Sequence, residues 1–318
     1  MPATPGRGMR VLVTGATGFV GGELIPALIA GDHDVVALVR NREDYPGNEV
    51  EVHEGDLLEP DSLEGAFDDV DVAYYLVHSM RAGEDFAERD RRAAENFVAA
   101  ADAAGVDRVV YLGGLGEEGE DLSEHLESRR AVESVLREGA FELTTLRAAI
   151  IVGAGSSSFQ MIQQLVGRLP VMVTPKWVNT PCQPIAVSDV VGYLTGVLSR
   201  PNTAGETYEI GGPDVLTYRE MLERTADAMG KRLHVLPVPV LTPRLSAYWV
   251  EFVSDVPRSV ARPLIDGLKN PVVVEDDRLA DEIDVALTPF DSAVRRALSR
   301  SSNGSGGTAL QGGSPGLQ

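Results

Sequence analysis

The first 115 residues alternate short β-branched runs with longer Ala-rich amphipathic segments, as in Met9 to Thr14, Phe19 to Ala30, Asp34 to Arg40 and Val70 to Val77. That alternation predicts a parallel sheet covered by helices, because each strand is buried on both faces and each crossover is helical. Phe86 to Gly105 carries Ala93, Phe97, Ala100 and Ala104 at helical spacing with Gly105 placed to stop it, and Arg108 to Leu112 follows as a buried strand. Ser123 to Gly139 repeats the helix and Leu143 to Val152 the strand. From Gly153 to Pro184 the residues Gly, Ser and Pro recur, which predicts loops across the open face of the sheet. Thr207 to Ile210 reads as a short strand. Thr217 with Glu220 forms a capping box ahead of Met221, Leu222, Thr225, Ala226 and Met229, and Gly230 ends that helix. Leu241, Leu245, Tyr248, Trp249, Phe252 and Val253 share one helical stripe, read as core, with a lid over a lipophilic ligand as the alternative. From Ser299 the hydrophobic period is lost and a disordered tail is expected.

Chemistry enters at the first strand-to-helix junction. Val11 to Thr14 runs into Gly15-Ala16-Thr17-Gly18-Phe19-Val20-Gly21. Gly15 permits a tight turn, Gly18 lets the backbone approach a pyrophosphate, and Gly21 lets the helix pack closely on the strand. The free N–H groups of the helix start favour a phosphate, so the turn from Gly15 to Gly21 is a dinucleotide cradle. The expected fold class is therefore α/β: a Rossmann-type parallel sheet with helices on both faces and a small C-terminal α/β substrate region. Residues 9–155 would form the dinucleotide-binding domain, 156–298 the substrate region interleaved with it, and 299–318 the tail.

A reader of NAD ends its second strand with an acid that holds the ribose 2′-hydroxyl. Here that end is Val39-Arg40-Asn41-Arg42, and a guanidinium suits a 2′-phosphate. NADP(H) is thus the expected cofactor, with NAD(H) as the alternative. Asp56 and Leu57, after the third strand, would bound the adenine. His78, ending the fourth, would stand at the carboxyl edge as a cofactor or substrate contact, or as a structural histidine.

The chain has 318 residues, 48 acidic side chains against 28 Lys plus Arg, and a net charge of -20. A negative surface excludes nucleic acid as a partner, because phosphate backbones require basic patches. Lys176, Lys231 and Lys269 are its only lysines; an acidic, Arg-carrying surface suits a salt-rich cytosol, and high-GC codon bias gives a similar composition. Cys182 is the single cysteine, which excludes an internal disulfide and a Cys-based metal cluster, and the five histidines show no ligand spacing. No run of 18 apolar residues occurs and a Val-rich strand begins at Met9, so a cytoplasmic protein without a transmembrane segment is expected.

The run Val13 to Gly21 resembles the short-chain dehydrogenase/reductase superfamily in its extended and atypical branches. Val109 to Leu112, Leu146-Arg147 and Gly205 to Gly212 look like further pieces of those branches, in the expected order. Tyr75 to Met80, Ser156 to Phe159, Leu169 to Met172 and Gln183-Pro184-Ile185 with Asp189 resemble the atypical NAD(P)H-binding group. That group includes the 39 kDa accessory subunit of respiratory complex I and relatives tied to quinone metabolism. Catalytic members of the superfamily carry Tyr and Lys four residues apart on the helix after the fifth strand, the Lys lowering the Tyr pKa. This chain has no Tyr between Tyr111 and Tyr193 and no Lys before Lys176, so that dyad is absent. The corresponding pair is His125 and Arg129, and the usual Ser falls at Gly113 or Gly114. His125 is then the candidate general acid, or hydride transfer to an electron-poor acceptor proceeds without one. Gly113, Gly114, Ser158, Phe159, Trp177 and Gln183 are the expected substrate pocket. The resemblance implies an NADP(H)-dependent oxidoreductase acting on a small or lipophilic acceptor, quinone-like or carbonyl. A non-catalytic redox sensor or assembly factor is the alternative, and a nucleotide-sugar epimerase, whose chemistry needs the missing Tyr, is the third.

Overall fold

The computed structural model describes residues 8–45, 47–78, 86–116, 124–174, 176–237 and 270–304. Its first half runs β1 (Arg10–Thr14), α1 (Phe19–Ala30), β2 (Asp34–Val39), β3 (Glu51–Glu54), β4 (Val72–Tyr75), α2 (Phe86–Ala104), β5 (Arg108–Gly114), α3 (Glu124–Leu136) and β6 (Glu142–Ala148). The second continues with β7 (Ile151–Val152), α4 (Ser157–Arg168), β8 (Val171–Thr174), β9 (Pro181–Cys182), β10 (Ile185–Ala186), α5 (Val187–Gly196), β11 (Thr207–Ile210), β12 (Leu216–Thr217), α6 (Tyr218–Ala228) and β13 (His234–Pro237). A short α7 (Arg278–Glu282) and a terminal α8 (Phe290–Gly304) complete it.

Seven strands form one sheet in the order β11-β6-β5-β4-β1-β2-β3, every pair parallel. This is the α/β architecture expected from the alternation. Successive residues of a strand face opposite sides, and the apolar runs serve two cores. Val11, Val13 and Tyr74 pack with Leu24 and Leu28 of α1 and Val190 and Leu194 of α5. Leu12, Ala73 and Tyr75 pack on the other face with Phe97 of α2 and Leu136 of α3. There Phe97 meets Tyr75 edge to face at 5.0 Å and Phe67 at 5.3 Å, a geometry aromatic rings favour.

The segment Gly153 to Pro184 is not the run of loops its composition suggests. It contains α4, β8 and β9, because Phe159, Ile162, Leu165 and Val166 keep a helical spacing between the polar residues. Ser156 caps α4 by accepting the Phe159 N–H. α4, α6 and α8 enclose a third core, in which Cys182 is buried. α8 also corrects the tail: residues 299–304, expected to be disordered, continue this helix, whose apolar contacts through Val294 and Ala297 hold its earlier turns. The stripe from Leu241 to Val253 lies outside the described residues. Among the described residues, no helix is long and apolar enough to cross a membrane.

β11 returns the C-terminal half to the main sheet, and Arg108 fastens that return. The guanidinium is 8% exposed, donates to Thr144 Oγ1, Thr203 Oγ1 and the Val197 carbonyl at 2.7–3.0 Å, and so binds β5, β6 and the segment after α5. Burial pulls its pKa below the usual arginine value. Hydrogen bonds to a charged donor are worth roughly 1.5–3 kcal/mol each, so a single-headed ammonium does not replace this fork. Arg108→Lys is expected to cost about 2–4 kcal/mol, read as a Tm lowered by about 3–6 °C. An unchanged melt would remove Arg108 from this role.

Candidate functional site

The site is built at the carboxyl edge of the sheet, where β1 breaks into α1. Thr14 is fully buried, and its hydroxyl donates to the Tyr74 carbonyl at 2.9 Å and accepts the Leu76 N–H at 3.2 Å, tying the ends of β1 and β4 together. Gly15 then turns at φ +70°, where a Cβ would sit 2.8 Å from the Leu76 carbonyl oxygen. The Gly18 N–H closes the turn on the Gly15 carbonyl at 2.9 Å. At Gly21 a Cβ would come within 2.3 Å of the Gly15 oxygen, so only glycine lets α1 approach β1 this closely. Gly18 caps α1 in an extended conformation without a side-chain hydrogen bond, and no acid occupies the first helical turn. The helix start therefore offers unshielded N–H groups to an anion.

A cleft of about 580 Å³ opens on this turn. Thr14, Gly15, Thr17 and Gly18 form its floor, and Leu38, Val39 and Arg40 bring in the end of β2. Gly55, Asp56, Leu57 and Leu58 add the loop after β3, and Leu76, Val77 and His78 the end of β4. Arg89 and Ala93 of α2 and Ser157 of α4 complete the wall. The expected Gly15, Thr17, Gly18, Arg40, Asp56, Leu57 and His78 thus meet around one space. Asp56 also shapes its own loop, accepting the Leu58 N–H at 2.9 Å. Gly21 and Val20 support the cradle from behind, Val20 packing on the core, and the Phe19 ring fills the space over Gly153 and Gly155. Arg42 stands apart from these wall residues, in a 3-10 turn anchored by its N–H on Glu54. Leu38 and Leu57, apolar and flanking Arg40 and Asp56, suit an adenine ring between them, and the glycine cradle suits a pyrophosphate.

Sequence reasoning missed Arg89, Ala93, Ser157 and the network behind His78. His78 Nδ1 lies 3.0 Å from Asp90 Oδ2, and the Ser128 hydroxyl donates to the same oxygen at 3.3 Å. Asp90 is 3% exposed. Burial and the nearby Arg129 charge push the His78 pKa down to about 4, against the pull of Asp90. The imidazole is neutral at pH 7, its Nδ1–H donated to the carboxylate, which leaves Nε2 as an acceptor. No spacing rule joins residues 78, 90 and 128; only the packing of α2 on α3 does.

On α3, Arg129 donates from Nη1 to the Leu112 carbonyl at 2.8 Å, and its own carbonyl accepts the Tyr111 hydroxyl at 3.2 Å. Its buried Nε has no hydrogen-bond partner among the described residues. The His125 side chain lies outside the described residues, and so does that of Trp177. Gly113 and Gly114 end β5, where a Cβ would press on the Tyr111 ring at 3.1 Å and on Leu126 at 3.0 Å. The remaining expected pocket residues are engaged within the fold. Phe159 is 1% exposed in the third core, since its ring is the first large apolar group of α4. Gln183 is a clamp, donating to the Gly212 carbonyl at 2.8 Å and accepting the Val274 N–H at 3.0 Å. Ser158 is half-buried on α4, one residue past the Ser157 that faces the cleft.

Residues 15–165 match the NAD(P)H-binding family model. The chain carries an NAD(P)H-binding domain. Over 292 residues it is 26% identical to the mitochondrial NADH dehydrogenase (ubiquinone) 1 alpha subcomplex subunit 9 of Arabidopsis thaliana, covering 86% of this chain and 72% of that protein. It is 28% identical to the ceramide reductase of Caulobacter vibrioides, over 74% of this chain and 75% of that one. The fold matches the Citrobacter triphenylmethane reductase structure, with a TM-score of 0.75, 24% identity, and coverage of 91% of this chain and 99% of that one. A second structure of that reductase holds NADP(H). The likeness to the complex I accessory subunit and to atypical short-chain reductases is thus borne out.

Two predictions follow from the NAD(P)H-binding domain's geometry. Gly18 is extended at φ -78° and lines the cleft, and a Cβ there would sit 3.0 Å from the Gly15 oxygen. Gly18→Ala should fold, by far-UV circular dichroism, yet bind NADPH at least about tenfold more weakly, whereas Gly21→Ala should cost about 1–3 kcal/mol of stability by overpacking. Equal melting of the two variants would contradict this division. The second concerns pH. Because folded His78 titrates at about 4 against an ordinary 6.5, the unfolded chain binds the proton first, and stability falls as pH drops from 6.5 towards 4. His78→Asn keeps an N–H for Asp90 but cannot titrate, so urea melts should show it losing about 3 kcal/mol less than the parent over that window. Parallel pH curves would refute the buried neutral imidazole.

Proposed function

We propose that this chain is an NADPH-dependent reductase of a small or lipophilic, electron-poor acceptor, quinone-like or conjugated carbonyl, working without a Tyr and Lys dyad. When bound, the reduced nicotinamide supplies a hydride. The protein's part is to hold and orient. The glycine cradle and the start of α1 receive the pyrophosphate, Arg40 the 2′-phosphate, and Leu57 the adenine. His78 Nε2, fixed as an acceptor by the bond to Asp90, receives an N–H or O–H from the nicotinamide end.

The observation that carries the reading is the state of the two cations-in-waiting at that end of the sheet. His78 is buried and neutral, and Arg129 is spent on the Leu112 carbonyl. Neither is a proton donor at pH 7, so the chemistry that fits is reduction of an acceptor stable enough after hydride addition to take its proton from water. The names of the relatives, ceramide reductase and triphenylmethane reductase, support reduction as the class. A non-catalytic accessory protein is the second reading, favoured by the same occupied Arg129 and by the likeness to a subunit of an NADH dehydrogenase.

Titration with NADPH and NADH at low and molar salt, followed by NADPH oxidation against quinones, enones and aldehydes, separates the two. Turnover with quinones or enones that survives His125→Phe is expected; tight binding without turnover anywhere in the panel would move the protein to the accessory class. Arg40→Asp removes a charge-assisted contact worth roughly 1.5–3 kcal/mol, so NADPH should weaken by about tenfold or more while NADH changes little. Equal losses for both cofactors would assign Arg40 a structural role instead.

A further inference from the structure

We propose that Arg89 is a second specificity-determining cation, gripping the 2′-phosphate of NADP(H) together with Arg40 from the opposite wall of the cleft. The inference rests on the cofactor reading above and deepens it.

Arg89 and Ala93 face the same cleft as Arg40, one turn apart on α2. Farther along that helix, the Asn96 side-chain amide donates to the Leu57 carbonyl at 2.7 Å. That bond ties α2 to the loop after β3, whose Asp56 and Leu57 line the cleft beside Arg40.

The charge environment decides what Arg89 awaits. In a chain with a net charge of -20, a cation finds a carboxylate easily. Arg91, two residues on, is held by Glu88 at 2.7 Å and by Glu95 on the outer face of α2. Arg10 is held by Asp34 at 2.6 Å and Glu51 at 2.7 Å. Arg89 and Arg40 form no ion pair or hydrogen bond among the described residues, although both are exposed. Asp56, the carboxylate on the same cleft wall, has an oxygen committed to the Leu58 N–H. Two like charges facing one space repel until an anion enters it. A phosphate monoester brings a charge near -2 and three acceptor oxygens, enough for two guanidinium forks.

The test uses two fragments that separate the phosphates. 2′,5′-ADP carries the 2′-phosphate without a pyrophosphate, and ADP carries the pyrophosphate without the 2′-phosphate. Calorimetric titration of the full chain, Arg89→Gln, Arg40→Gln and the control Arg91→Gln with each is the experiment. Arg89→Gln should weaken 2′,5′-ADP by about tenfold, with a shallower salt dependence, and leave ADP within about twofold. Arg91→Gln should change neither. If Arg89→Gln weakens ADP as much as 2′,5′-ADP, or weakens neither while Arg40→Gln still discriminates, the assignment of Arg89 is overturned and the NADP(H) reading stands. If the parent chain does not prefer 2′,5′-ADP and Arg40→Gln is silent, the NADP(H) reading itself fails and takes the proposal with it.

Discussion

The rest of the site depends on one close approach, that of α1 to the end of β1. The Gly15 carbonyl oxygen occupies the space a Cβ at Gly21 would need, and its own turn at φ +70° leans on the Leu76 carbonyl. The Thr14 hydroxyl binds the ends of β1 and β4 at the same level. Three backbones therefore converge within a few ångströms. The helix start, the end of β2 with Arg40 and the end of β4 with His78 are held around one opening as a result. A parallel sheet places every strand end on one edge, and the Gly15–Gly21 contact turns that edge into a cleft.

Beside the cleft, α2, α3 and the ends of β4 and β5 share a buried polar network. Asp90 takes bonds from His78 and Ser128, Arg129 reaches the Leu112 carbonyl, and the Tyr111 hydroxyl reaches back to α3. Buried charges persist only where such partners surround them. The cost appears in His78, driven neutral by its burial and by the Arg129 charge. A group held in this way fixes an acceptor in place, a positioning task that differs from proton donation.

The C-terminal half is fastened by similar means. Arg108 joins β5 and β6 to the segment after α5, Asp189 accepts the Thr288 N–H and hydroxyl at 2.6 and 2.8 Å, and Gln183 clamps Gly212 to Val274. Each is a polar side chain satisfied by groups distant in sequence. Gln183 in particular serves as a joint between loops.

The sequence by itself determined the layered sheet and the tight glycine turn after β1. Burial on both faces leaves uniform apolar runs from Val11 to Val13 and Val109 to Leu112, and glycine alone satisfies the contacts at Gly15 and Gly21, so local composition records both. Residues from Gly153 to Pro184 were misread because Gly and Ser flank α4 closely enough to mask its four-residue period. Arg89 was indistinguishable from Arg91 and Arg92, since a run of arginines along a helix does not say which one faces a cleft. Only the tertiary structure decided that, and only it joined His78 to Asp90 and Ser128. Those partners meet because α2 and α3 pack on the same face of the sheet, a relation set by the whole fold's burial of apolar surface.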